Sequence, residues 1–208
     1  MAPATPLIGL VTRCSSRGFV GAKRLPETDL PIFGDFCAVE AQQGQSTVIG
    51  LIYDISLQDD EFARQMAASE NLDPKQLEDQ RLNRLLPVEI SALAVGFRSQ
   101  DQLFQTLPPQ PPISMAPIHP LNDDEVIEFT QKLDFIPMIL SAQHIPCDDL
   151  VSAALMRAAA RRPEDQRQAF LLEAGRVCAR YLARDLTRLE YVIQILNQPM
   201  PHILAGDS

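Results

Sequence analysis

Apolar residues in the first half of the chain come in short runs separated by polar, Gly-containing breaks, which is the spacing of strands. In the last third they recur every three or four positions, which is the spacing of amphipathic helices. Residues 7–13 (LIGLVTR) read as a first strand, closed by the turn-prone segment 14–18 (CSSRG), and 19–22 as a short second strand. Residues 34–41 (GDFCAVEA) alternate Phe36 and Ala38 against Cys37 and Val39, as a barrel strand does. The segment 42–46 (QQGQS) predicts a hairpin turn, with Gly44 free to take positive φ. Residues 47–55 (TVIGLIYDI) are β-branched and apolar around Gly50, which marks a bulge, a bend or a close backbone approach. Small barrels need such corners to close. Residues 88–97 (VEISALAVGF) return to strand pattern. Four prolines in 104–113 (FQTLPPQPPI) forbid helix and impose an extended path. Residues 114–118 complete the strand set.

Between these strands, residues 58–86 are polar, Gly-free and rich in Gln, Glu, Asp, Arg and Leu. They predict two helical pieces, 60–69 and 73–85, the second with Asp73 as N-cap and Pro74 at its first position. The pair is an insertion that either covers a barrel edge or reaches out to a partner. From residue 122 the helical period takes over. Asn122 is placed to cap a helix with Glu125 reaching back, and Pro137 must kink or restart that helix. A helix over 148–161 follows. Pro163 then opens a long one, read as running from Glu164 to about Leu196 on Phe170, Ala174, Val177, Tyr181, Leu189 and Val192. The expected fold class is α+β: a small closed antiparallel β-barrel over residues 1–121, followed by an α-helical region over 122–206.

Charge adds an asymmetry. Of the net −9, residues 1–130 carry all of it, with 9 Lys+Arg against 18 Asp+Glu, and residues 131–208 are balanced. An acidic barrel half repels a phosphate backbone and fits a basic partner surface, or plain solubility, better. There is no apolar run long enough to span a membrane, and the N-terminal MAPATPLIGLVTR has neither a basic start nor a long apolar stretch. Both point to a cytoplasmic protein without a membrane partner.

The strand segments, in their order, resemble the HAS-barrel domain. That domain stands at the N-terminus of HerA-type hexameric DNA-translocating ATPases, and a related barrel crowns rotary ATP synthase subunits. The matching points are Gly9, Gly34-Asp35-Phe36, Gly50 after Val48-Ile49, Gly96-Phe97, Pro111-Pro112 with Ser114, and the acidic close from Asp123 to Val126, over residues 7–127 in all. In HerA-type enzymes an ATPase core with a G-x-x-x-x-G-K-[ST] loop follows the barrel. Here no Gly-Lys-Ser or Gly-Lys-Thr follows Val126, so NTP hydrolysis does not carry over. The resemblance implies a barrel that makes subunit or partner contacts, now on a helical tail.

Candidate chemistry is sparse. Cys14, Cys37, Cys147 and Cys178 form no C-x-x-C pair, and His119, His144 and His202 are far apart in sequence. The default is four buried or half-buried thiols, and a zinc site assembled from distant residues is the alternative. Ser15 and Ser16 have no His nearby in sequence. The carboxylate clusters Asp59-Asp60-Glu61, Asp123-Asp124-Glu125 and Asp148-Asp149 sit at expected helix starts, where acids favour the helix dipole, and lack the spacing of a calcium loop. No catalytic, cofactor or metal residue is assigned. The feature that stands out is Arg176, Arg180, Arg184 and Arg188, at i, i+4, i+8 and i+12 on the expected last helix. They form a solvated face, a patch that docks an acidic surface such as another copy's barrel, or a nucleic-acid contact. The sequence therefore points to a non-catalytic bacterial assembly or adaptor module that binds itself or a separate HerA-like P-loop ATPase. The alternative is a nucleic-acid accessory protein using the arginine face. An enzyme would need distant Asp, His or Cys side chains to converge in a deep pocket.

Overall fold

Small and β-branched residues alternate on two faces along the strands, and the chain resolves that alternation by wrapping one face inward. The computed structural model describes residues 6–25, 30–57 and 86–198. The strands are β1 (Gly9–Ser15), β2 (Gly18–Leu25), β3 (Phe36–Ala41), β4 (Ser46–Leu57), β5 (Leu86–Ser99), β6 (Gln102–Phe104) and β7 (Pro117–Pro120). All pair antiparallel in the order β2-β1-β7-β3-β4-β5-β6, and a β2–β5 pairing closes the ring. The result is a closed six-strand barrel with β6 hairpinned onto the end of β5. Inside it Val11, Phe19, Cys37, Val39, Val48 and Ile52 pack with Ile90, Ala92 and Ile118. The predicted helical insertion over 58–86 lies outside the described residues except for Leu86, which begins β5.

The glycine readings have physical counterparts. Register shifts between Ile49 and Gly50, where Gly50 faces inward, and a Cβ there would lie 2.6 Å from the Phe19 ring. Gly44 ends the β3–β4 turn at φ 84°. Other boundaries move. The second strand is eight residues long, and the last strand is Pro117–Pro120, because Met115 turns the backbone through φ 63° just before it. Strand β6 had no expectation. Its turn is made by Gln100 and Asp101 at φ 48° and 60°, the two-residue arrangement that suits hairpin twist.

The described helices are α1 (Asp123–Phe129), α2 (Ile136–Leu140), α3 (Cys147–Ala160), α4 (Glu164–Tyr181) and α5 (Leu186–Leu196). Asn122 and Glu125 form the reciprocal cap at the start of α1, and Pro137 sits in the first turn of α2. The single helix expected from Glu164 to Leu196 is two helices. The Asp185 side chain accepts the Arg188 N–H and starts α5, while buried Leu182 closes α4. A short acid placed to cap overrides the apolar period.

These helices pack on the outer face of the barrel and share a core with it. Phe36, Ile49, Leu51 and Val95 of the barrel meet Val126, Phe129, Phe135, Ile139 and Leu155. The rings of Phe36, Phe129 and Phe135 contact one another with centroids 5.5–5.8 Å apart. Gln105 locks the joint: its amide donates to the Phe129 and Lys132 carbonyls and accepts the Phe135 N–H.

Candidate functional site

The four candidate arginines do not form one array, because the α4–α5 break separates them. Arg176 and Arg180 lie on α4, Arg184 in the corner, and Arg188 in the first turn of α5. Arg188 is committed internally. Its guanidinium bonds Asp148 at 2.7–3.1 Å and also reaches the Leu140 carbonyl, so it staples α5 to α2 and α3. The Asp148 hydrogen bond, reinforced by that carboxylate's charge, raises its pKa above the ordinary arginine value. Arg176 makes an exposed pair with Glu173 at 3.3 Å, of a kind worth little in water. Arg180 and Arg184 are exposed and have no side-chain partner among the described residues. Between and beside them stand two exposed apolar side chains, Tyr181 at 53% and Leu186 at 71% exposure. The α4–α5 corner thus carries two exposed arginines, an exposed tyrosine and an exposed leucine within seven consecutive residues, 180–186.

A second cationic set, which sequence reasoning did not single out, is internal. Arg157, only 8% exposed, donates to both Asp35 oxygens, at 2.5 and 2.8 Å. Arg161 bridges Asp35 and Asp123 at 3.1 Å each. Asp35 belongs to the Gly-Asp-Phe segment, and Gly34 before it holds φ 81° with α3 so close that a Cβ would lie 2.7 Å from Ala153. The cluster latches β3 to α3 and α1. The available signal was Arg157, an arginine inside the apolar stripe of a helix. Nearby, buried Arg162 donates to the Ala158 carbonyl and to Thr130, and its guanidinium lies 3.7 Å from the Phe170 ring centre. Burial lowers its pKa.

An open cavity of about 920 Å³ lies between the barrel wall and the α2–α3 loop. Arg13, Cys14 and Arg17 line it from β1 and the β1–β2 turn, and His144 lines it from the loop. Cys14 donates its thiol to the Pro112 carbonyl at 3.2 Å, and no hydrogen bond joins it to His144. Cys37 and Cys178 are buried, and Cys147 is half-buried. Burial raises all three thiol pKa values, that of Cys178 to about 11. Asp123-Asp124-Glu125 and Asp148-Asp149 occupy first turns of helices, and Asp59-Asp60-Glu61 lies outside the described residues. Among the described residues no three His, Cys, Asp or Glu side chains gather into a set that could hold a metal ion. No described helix is long and apolar enough to cross a membrane.

No protein-family model matches the chain, and neither does any curated protein sequence. The geometry of the corner, the latch and the cavity is what bears on function.

Proposed function

We propose that the protein is an assembly or adaptor module that performs no chemistry itself. Its partner is a protein, either a second copy of this chain or a separate HerA-like P-loop ATPase. The observation that carries this reading is the α4–α5 corner, where Arg180 and Arg184, without a side-chain partner among the described residues, flank exposed Tyr181 in sequence and stand close to exposed Leu186. Tyr and Arg are the residue types that dominate binding energy in protein interfaces. Exposed basic and aromatic side chains suit an acidic partner, and the first 130 residues of this chain carry the whole net charge of −9. The resemblance of residues 7–127 to the HAS-barrel domain supports the ATPase as the other candidate.

Sedimentation at low and high salt tests the self-binding arm. The reading expects an assembly larger than a monomer that weakens with salt and with R180E/R184E. Salt-sensitive DNA or RNA binding abolished by the same pair would favour the nucleic-acid alternative. A strict monomer that also captures no ATPase from its native lysate sinks the adaptor reading.

A further inference from the structure

The cavity between barrel and helices has an electrostatic character opposite to that of the chain. The protein carries −9 overall, yet no Asp or Glu is among the described residues lining the cavity. Arg13, Arg17 and His144 do line it, and none of their side chains has a hydrogen-bond or ion-pair partner among the described residues. Backbone geometry fixes where all three residues leave the chain. Register slips between Val11 and Arg13 in β1, a local irregularity of the kind that re-aims side chains beside sites. Arg17 sits in the β1–β2 turn, which is pinned where its carbonyl accepts the Ala94 N–H at 2.9 Å. His144 takes φ 64°, a left-handed conformation that a side chain seldom adopts. Below these groups, Tyr53, Leu93, Met138 and Ile145 supply an apolar wall. The volume lies within the range of small-molecule pockets.

We propose that this cavity binds a small organic anion. A phosphate, sulfonate or carboxylate is held by Arg13, Arg17 and His144, and an apolar body lies against Tyr53, Leu93 and Met138. Guanidinium groups without a partner gain charge-assisted hydrogen bonds from such a headgroup. The site is independent of the α4–α5 corner and of the adaptor reading.

The test uses the full chain and a fluorescent probe with a sulfonate and an aromatic body, 8-anilinonaphthalene-1-sulfonate. Its uncharged relative, N-phenyl-1-naphthylamine, is the control. The charged probe binds saturably at one per chain, weakens with salt, and loses about a hundredfold or more in affinity in R13E/R17E, the scale of two lost charge-assisted contacts. Arg13 and Arg17 are exposed, so the variant keeps the native circular dichroism and melting temperature. ATP or dodecanoate displaces the probe, and which of them does so separates a phosphorylated ligand from a fatty-acid-like one. Unsaturable binding, equal binding of the uncharged probe, affinity unchanged in R13E/R17E, or failure of both competitors overturns the proposal.

Discussion

Asp35 shows how much a single residue can carry. It faces two guanidinium groups, and Arg157 is too buried to be solvated if that charge is removed. Breaking one side of a buried pair costs far more than the pair itself contributes, because the remaining charge is stranded. Asp35→Asn therefore lowers stability by about 3–5 kcal/mol, read from the urea midpoint at unchanged m-value. The buried thiols give a second residue-level prediction. Cys178 is held neutral in the fold up to about pH 11, against an ordinary value of 9.0. Its contribution is thus complete below pH 9.0, declines as pH rises above that value, and is lost by about pH 11. One such thiol gives a slope of up to about 1.4 kcal/mol per pH unit. Denaturant melts between pH 8 and 11 show the decline, and Cys178→Ala makes it shallower.

Individual elements differ in how legible they were. The barrel strands show themselves through alternation, and the two sides of that alternation became two cores. Cys37 and Val39 face the barrel interior, while Phe36 meets Phe129 and Phe135 under the helices. Gly50 announced its bulge because a side chain there has no room against Phe19. Asn122 and Pro137 announced their helix starts because caps and proline are local chemistry. Strand β6 was silent, since its turn uses Gln100 and Asp101 in a backbone shape usually signalled by glycine. The α4–α5 break is hidden in the pattern because Leu182, Leu189 and Val192 continue the apolar period across it. Asp185 is the N-cap of α5. Asp185→Ala removes that cap at a cost of about 1 kcal/mol. Thermal melts followed by circular dichroism report it as a small drop in midpoint with native helix content retained at low temperature.

On the scale of the whole molecule, neither the corner nor the cavity is a sequence motif. The run of four arginines was visible, but the fold divides it into a staple (Arg188), an exposed ion pair (Arg176) and two cations with no partner among the described residues (Arg180 and Arg184). Arg13 and Arg17 acquire meaning only when β1 and its turn are brought up to the α2–α3 loop, more than 120 residues away in sequence. Closure of the barrel and docking of the helices create both surfaces, so pattern reading reaches the architecture and stops short of them. The adaptor reading stands on the corner making a protein contact. Its most direct test is co-expression of two differently tagged copies in the native host, followed by affinity purification and quantitative mass spectrometry. The account predicts recovery of the second tagged copy, or of a P-loop ATPase, at fixed stoichiometry, and loss of that partner in R180E/R184E. Recovery of the bait alone, or of a partner whose yield R180E/R184E leaves unchanged, would contradict it.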